Sequence, residues 1–208
     1  IRRYLGKAWN YFSRKISDKL KVVLLLAGRG RRLGSITKQN NKCLIKLFDK
    51  PLLGHIIDRL LFNNLSDIVP IVGYHSQTVI NYLVDNYAEL LTLSPIINPE
   101  FKETNNMYSL WCAREILDGN RFILCNGDSI LNKYIIKKLI NSKYNSAIVL
   151  DTKNKHKTID SPGTIVKNGR IFDIGRHIPR KNNGGYAIGL YKYGKNLSSA
   201  YFKEVEMM

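Results

Sequence analysis

A glycine–arginine segment follows the first strongly apolar run of the sequence and has the composition of an anion-binding turn. Val22–Leu26 is continuously apolar, and the next six residues supply two glycines and three arginines. Gly28 and Gly30 would let backbone N–H groups approach phosphate oxygens, and a following helix would add the positive end of its dipole. Guanidinium and ammonium groups bind the same oxygens. The segment therefore predicts a polyanion site, with Arg29, Arg31 and Arg32 as candidate cations and Lys42 ten residues further along the chain.

The spacing of these glycines excludes two common phosphate-binding motifs. A dinucleotide fingerprint needs a third glycine and a strand-end acid about 20 residues later, and neither stands at the required place. A P-loop needs G-K-[ST], which is also missing. Because a lone G-x-G is weak evidence, the surrounding elements must decide what the segment does.

From Lys21 onward, apolar runs alternate with amphipathic segments, as in α/β proteins. The fold class predicted is a doubly wound, mostly parallel sheet, followed by a small antiparallel late segment. The predicted parallel strands are Val22–Leu26, Ile68–Val72, Ile96–Asn98, Arg121–Cys125 and Ala147–Leu150, the helices are 51–63, 76–87, 109–117 and 133–140, and the late strands are Gly163–Val166, Arg170–Ile174 and Tyr186–Tyr191. Ligands of such sheets bind beyond the carboxyl ends of the strands, which is where the glycine–arginine segment begins.

Composition and charge limit the classes of molecule that the protein could bind. The chain has 208 residues, enough for one domain over residues 21–208, and a formal net charge of +17. Such a charge favours nucleotides, phosphorylated metabolites, nucleic acid or an acidic membrane. No nucleic-acid recognition motif is present, so we expect no nucleic-acid partner. Three cysteines without metal-ligand spacing favour a reducing, cytoplasmic location.

Residues 1–20 carry a separate pattern. Their apolar residues recur at steps of three and four and are Leu5, Trp9, Phe12, Ile16 and Leu20. Most basic residues of the segment lie off this apolar stripe. This periodicity predicts a basic amphipathic helix or linker. Packing on its own domain or on an adjacent one is one interpretation, and peripheral membrane contact is the other.

The run LAGRGRRLGSITKQNNKCLIKLFDKPLL, residues 26–53, resembles the signature of nucleoside-triphosphate-dependent nucleotidyltransferases, L-A-A-G-x-G-x-R-L followed by P-K-x-L and K-P-L-L. Within that superfamily the sequence is most similar to bacterial phosphocholine cytidylyltransferases and to relatives acting on other small phosphorylated head groups. Four later segments resemble further motifs in the same order: VGYHSQTV, NPEFKETNNMYSL, NGDSIL and NNGGYAIGLYKY. The resemblance implies a Rossmann-like nucleotidyltransferase fold.

The implied reaction joins CMP from CTP to a small phosphate or phosphonate and releases pyrophosphate. Arg32 and Lys42 would be the catalytic cations, and Mg²⁺ would be held by Asp128, an acid directly after a buried strand. The implied nucleotide-binding residues are Leu26, Ala27, Gly28, Gly30, Gly73, Tyr74, Asn106 and Ser109, and the implied second-substrate residues are Asn105, Tyr108, Trp111 and Tyr186.

Other roles stay open for several of these residues. Asp128 and Ser109 are also suited to cap helices. The aromatic residues are also suited to the core, and Arg29 and Arg31 to the solvated surface. Two other functions remain open for the chain, a sugar-1-phosphate nucleotidyltransferase and a non-catalytic relative that binds nucleotide.

The sequence departs from the superfamily pattern at several positions. Asn41 stands where proline usually precedes the lysine, and Gly34–Ser35 replaces a residue–proline pair, so we expect a looser loop. Gly185 stands where glutamate is common. The resemblance also implies a second metal-binding aspartate near the C-terminus, past a helix like Ser198–Glu206. Because the sequence stops at Met208, we expect either a truncated chain or an incomplete metal site.

Overall fold

The computed structural model describes residues 20–153, 162–179 and 184–207. The helix predicted for residues 1–20 lies outside this part, except for Leu20, which packs against the core. No helix in the described ranges has the length and apolar character to cross a bilayer.

In the described residues, the eight predicted strands are present in the predicted order, together with three short strands that were not predicted. They are β1 (Lys21–Leu26), β2 (Lys46–Leu47), β3 (Lys50–Pro51), β4 (Asp67–Val72), β5 (Thr92–Leu93), β6 (Ile96–Ile97), β7 (Phe122–Asn126), β8 (Ala147–Asp151), β9 (Gly163–Lys167), β10 (Arg170–Gly175) and β11 (Tyr186–Tyr193). The main sheet runs β10-β9-β11-β7-β1-β4-β5, with β6 also on β4 and β8 also on β11.

Helices alternate with the strands, and the last helix follows β11. They are α1 (Leu52–Leu61), α2 (Ser76–Tyr87), α3 (Asn106–Trp111), α4 (Arg114–Leu117), α5 (Lys133–Ile140) and α6 (Lys195–Glu206). Two 3₁₀ segments, Arg31–Thr37 and Lys42–Leu44, lie between β1 and β2.

The centre of the sheet is parallel. Strand β1 pairs in parallel with β4 on one side and β7 on the other, so Val22 lies beside both Ile68 and Ile123. Strand β11 is antiparallel to β7, and the β9–β10 hairpin extends the sheet beyond it. The carboxyl ends of β1, β4 and β7 therefore meet at one edge, as predicted.

Alternating side chains of β1 serve two cores, one on each sheet face. Leu24 packs with residues of α1, α2 and α5, whereas Leu25 packs with residues of α3, α4 and α6. Both faces are covered, which explains why the central strands are continuously apolar. The predicted doubly wound, mostly parallel sheet with an antiparallel late segment is confirmed. One strand is corrected, since β8, predicted among the parallel strands, pairs antiparallel with β11.

Some element predictions were wrong. The helix predicted at 109–117 is two helices, because the backbone leaves helical geometry at Ala113 (φ −96°, ψ 12°). The short strand β5 and the β2–β3 hairpin were not predicted. Each contributes two residues per strand, too few for a periodic pattern.

Candidate active site

An ion pair joins two residues predicted from separate motifs. Lys42 begins the second 3₁₀ segment, and Asp128 lies two residues beyond β7. The Lys42 Nζ donates to Asp128 Oδ2 at 2.6 Å. The two side chains are 23% and 45% exposed, so both are accessible to a ligand.

The glycine-rich turn packs directly on Lys42. Gly30 has φ 68°, a left-handed conformation that favours glycine, and its carbonyl accepts from Leu33 N at 2.9 Å. A Cβ at Gly30 would lie 3.1 Å from Cβ of Lys42. At Gly28 a Cβ would meet nothing within 4 Å, so the space beside its backbone is open.

The three arginines of the turn lie in different surroundings. Arg29 lies over the Tyr74 ring, 5.5 Å from its centroid, and Arg31 Nη2 donates to Lys102 O at 3.3 Å. Arg32 is an exposed residue of the first 3₁₀ segment. The turn therefore brings Arg32 into the same loop as Gly30, which contacts Lys42.

The prediction of a helix directly after the glycine-rich turn was wrong. Residues 31–37 form a 3₁₀ segment that is interrupted at Gly34 (φ 57°, ψ −122°). Short 3₁₀ turns do not align enough peptide units for the dipole of an α-helix. Anion binding here would depend on individual amides and cations.

Asn41 anchors the loop that was expected to be loose. Its side chain is fully buried. The amide Nδ2 donates to Leu26 O and to Tyr74 O, both at 2.8 Å, and Oδ1 accepts from Cys43 N at 3.0 Å. The expectation that Asn41 loosens the loop is corrected, since this amide ties the loop to the ends of β1 and β4.

Gly73 and Tyr74 lie where β4 ends, beside the end of β1. Tyr74 N donates to Ala27 O at 3.0 Å, and its hydroxyl lies 2.9 Å from the carbonyl oxygens of both Thr37 and Lys38. A Cβ at Gly73 would lie 2.6 Å from Cβ of Phe101, so glycine permits this close packing. Tyr74 thus connects the end of β4 to Thr37 and Lys38, in the loop that follows the glycine-rich turn.

The segment after β6 is organised by a buried asparagine. Asn98 Nδ2 donates to Thr104 Oγ1 at 3.1 Å and to Ser109 Oγ at 3.0 Å. Ser109 is buried, whereas Asn105 and Asn106 are exposed. Asn105 Oδ1 caps α3 by accepting from Met107 N at 2.9 Å. Of the polar residues predicted in this segment, the exposed pair is available to a ligand.

The aromatic residues predicted for the second substrate do not form one group. Tyr108 and Trp111 stack, with centroids 5.5 Å apart, and the Arg114 guanidinium lies 3.9 Å from the Trp111 centroid. Desolvation and the nearby Glu100 raise the pKa of Tyr108. Tyr186 lies on β11, where it pairs with Asp151 and Gly163.

Asp128 is the residue implied as the magnesium ligand, and its carboxylate is accessible. Within residues 20–153, 162–179 and 184–207, no group of three His, Cys, Asp or Glu side chains could hold a metal ion. Mg²⁺ commonly binds through one or two carboxylates together with substrate phosphates and water. A single accessible carboxylate beside the glycine-rich turn fits that arrangement.

Gly127 and Asn41 belong to the site but were not predicted as part of it. Gly127 N donates to Leu25 O at 3.2 Å, and a Cβ there would lie 2.6 Å from that oxygen. This close approach of β7 to β1 sets the position of Asp128. The glycine before the acid was the available signal for Gly127. Asn41 stood out only as a replacement of the usual proline, and nothing in the sequence indicated that its side chain is buried.

The chain belongs to the MobA-like NTP transferase domain family, which residues 22–181 match. It is similar to CTP:phosphoglutamine cytidylyltransferase of Campylobacter jejuni, with 25% identity over 203 residues, covering 91% of this chain and 79% of that protein. It is also similar to choline-phosphate cytidylyltransferase of Streptococcus pneumoniae, with 31% identity over 137 residues. That match covers 65% of this chain and 57% of the relative's length.

The fold is shared with a solved structure, the inositol-1-phosphate CTP transferase from T. maritima. The TM-score is 0.74 at 17% identity, covering 92% of this chain and 83% of that chain. The family membership and the Rossmann-like nucleotidyltransferase fold implied by the motifs are therefore confirmed.

Proposed function

We propose that the protein is a CTP-dependent cytidylyltransferase that joins CMP to a small phosphorylated head group, such as phosphocholine, and releases pyrophosphate. The observation that carries the proposal is the cluster of Gly30, Lys42 and Asp128 at the carboxyl ends of β1 and β7. This cluster combines a glycine turn, an accessible ammonium and an accessible carboxylate. Relatives named as cytidylyltransferases support the choice of CTP.

The proposed chemistry needs positioning and charge stabilisation rather than a strong base. The attacking oxygen belongs to a phosphate and is already anionic, so the barrier lies in bringing two polyanions together. In the proposal, the amides of Gly28 and Gly30 bind the triphosphate, and Arg32 binds its β and γ oxygens. Lys42 contacts the α-phosphate and the incoming phosphate.

Asp128 is proposed to hold Mg²⁺ together with phosphate oxygens. When bound, the ion neutralises charge that develops on the phosphates. Asp128 would then exchange its contact with Lys42 for the ion, and the Lys42 ammonium would be available to a phosphate. Both side chains are accessible enough for this exchange.

The choice of head group depends on the region around α3. Aromatic faces suit a quaternary ammonium, and Tyr108 and Trp111 present a stacked pair. The Arg114 guanidinium covers a face of Trp111, which favours testing acceptors that carry a carboxylate as well. Asn105, which is exposed at the start of α3, is proposed for the same subsite, and Tyr186 on β11 stays a separate candidate.

Pyrophosphate release tests the proposal directly. The protein is incubated with Mg²⁺, each of the four nucleoside triphosphates and a panel of acceptors: phosphocholine, phosphoethanolamine, 2-aminoethylphosphonate, a phosphorylated amino acid and glucose-1-phosphate. We expect turnover with CTP and one of the first four acceptors. Turnover with glucose-1-phosphate alone would favour the sugar-1-phosphate alternative. Tight CTP binding without turnover would favour a regulatory nucleotide-binding protein.

A further inference from the structure

Asn41 is a fully buried polar residue next to Lys42 in the chain, and the reaction proposed above assigns it no role. Its Nδ2 donates to Leu26 O and Tyr74 O at 2.8 Å each, and its Oδ1 accepts from Cys43 N at 3.0 Å. Both amide hydrogens are used. We propose that Asn41 is a positioning residue, whose side-chain amide holds the Lys42 ammonium beside Gly30 and Asp128.

The three hydrogen bonds join three separate parts of the site. Leu26 ends β1, just before the glycine-rich turn, and Tyr74 follows β4. Cys43 belongs to the same 3₁₀ segment as Lys42. The strand ends are already in register, since Leu26 pairs with Val72. The amide therefore fixes the 3₁₀ segment to the rigid edge of the central sheet.

The backbone that Asn41 fixes leads directly into Lys42. Asn41 has φ −68° and ψ 144°, and it caps the segment that Lys42 begins. The carbon stem of Lys42 packs on Gly30, and its Nζ reaches Asp128 at 2.6 Å. A long, flexible side chain reaches a fixed point only when its Cα is fixed, so loss of the amide would spread the positions of Nζ.

A cap alone does not account for the contacts. Serine at position 41 would keep an oxygen for the Cys43 N–H. It would lack the two N–H groups that face Leu26 O and Tyr74 O. Asn41→Ser therefore separates capping of the 3₁₀ segment from the bridge between the strand ends.

A double-mutant cycle tests whether Asn41 acts through Lys42, and this part rests on the proposed function. We expect Asn41→Ala and Asn41→Ser to lower kcat about 10- to 100-fold, with little further loss when Lys42→Ala is already present. Asn98→Ala is the matched control, because Asn98 is also a buried asparagine with hydrogen bonds from both ends of its amide. The loss of kcat caused by Asn98→Ala should be the same whether position 42 is lysine or alanine. The proposal would be overturned if Asn41→Ala lowered kcat equally with lysine and with alanine at position 42, or if Asn41→Ser kept the wild-type kcat.

A second measurement needs no substrate and therefore separates this proposal from the proposed function. Carbodiimide joins a carboxylate to a touching amine, and two ion pairs of equal length are available, Lys42–Asp128 and Lys50–Asp58, each at 2.6 Å. Mass spectrometry measures the ratio of the two cross-linked products. We expect Asn41→Ala and Asn41→Ser to lower the 42–128 product several-fold against the 50–58 product. An unchanged ratio, or a wild-type protein with only the 50–58 product, would refute positioning even if the enzyme had no turnover.

Discussion

The Nζ of Lys42 lies 2.6 Å from Oδ2 of Asp128, although 86 positions separate the two residues in the chain. The parallel arrangement of β1 and β7 brings these residues together, because both follow strands whose carboxyl ends share one edge. In the proposed reaction the two charges face phosphate and metal instead of each other. The pair thus marks the centre of the candidate site.

Lys42→Ala should lower kcat/KM for CTP about 100- to 1,000-fold, because it removes a cation from the proposed reacting phosphate. The thermal midpoint should change little, since accessible ion pairs contribute only about 0–1 kcal/mol. Pyrophosphate release and thermal unfolding measure the two effects. Lys46→Ala, at an exposed lysine of β2, is the control and should keep wild-type turnover. Near-normal turnover of Lys42→Ala would refute its catalytic role.

Asp128→Asn should raise the Mg²⁺ concentration needed for half-maximal turnover, because an amide is a weaker ligand for a hard cation than a carboxylate. The measurement is a Mg²⁺ titration of pyrophosphate release at fixed CTP. Asp85→Asn, an exposed acid on α2, serves as the control and should leave the titration unchanged. An identical titration for Asp128→Asn would argue that the metal, if required, is held elsewhere.

Alanine at the two glycines of the turn should affect different properties, stability at Gly30 and CTP binding at Gly28. Gly30→Ala forces an alanine into φ 68° and against the stem of Lys42, so it should destabilise the fold by about 1–2 kcal/mol and lower turnover. Gly28→Ala places its Cβ in open space, so stability should be unchanged. Alanine keeps the backbone N–H, but its methyl group would occupy the open space through which the proposed phosphate reaches that amide, so the KM for CTP should rise about tenfold. Urea unfolding and steady-state kinetics measure these effects, and an unchanged KM for Gly28→Ala would contradict the proposed phosphate contact.

Stability should fall in alkali because two buried thiols resist ionisation. Burial raises the pKa of Cys43 to about 12 and that of Cys125 to about 12, from an ordinary value of 9.0. Between pH 9 and 12 the unfolded chain loses thiol protons that the folded chain keeps. The free energy of unfolding should therefore decrease as pH rises, by up to about 1.4 kcal/mol per pH unit for each thiol.

Urea unfolding at pH 8, 9 and 10 measures this dependence. Cys43→Ala removes one of the two thiols and should reduce the slope with pH. Cys112→Ala is the comparison variant. Desolvation raises the pKa of Cys112 as well, but this thiol is only partly buried, so its removal should reduce the slope less than Cys43→Ala does. A free energy of unfolding that stays constant up to pH 10 would show that the thiols do not control alkaline stability.

The order and type of most helices and strands could be predicted from hydrophobic periodicity. Helices α2 and α5 begin and end where the pattern indicated, because each has one apolar face toward the sheet. The break between α3 and α4 could not be predicted, since residues 109–117 keep a helical pattern across it. The bend lies at Ala113, which is buried in the same core as Leu110 and Leu117, and periodicity does not report such contacts.

The candidate site was predicted in outline, because motifs report residue types and their order along the chain. Gly30, Lys42 and Asp128 were named from the sequence, and the structure brings them together. The motifs could not show that Ser109 is buried against Asn98, nor that Tyr74 supports the loop through its hydroxyl. These roles depend on partners that are distant in the chain.

The sequence by itself determined the alternation of buried strands and amphipathic helices, and with it the sheet edge at which the charged turn lies. These properties follow from local periodicity and from the general geometry of parallel sheets. Only the tertiary structure decided the role of Asn41. From the sequence, asparagine in place of the usual proline predicted a looser loop. The Asn41 amide is ordered by the carbonyl groups of Leu26 and Tyr74, and those groups approach it only after β1 and β4 have paired.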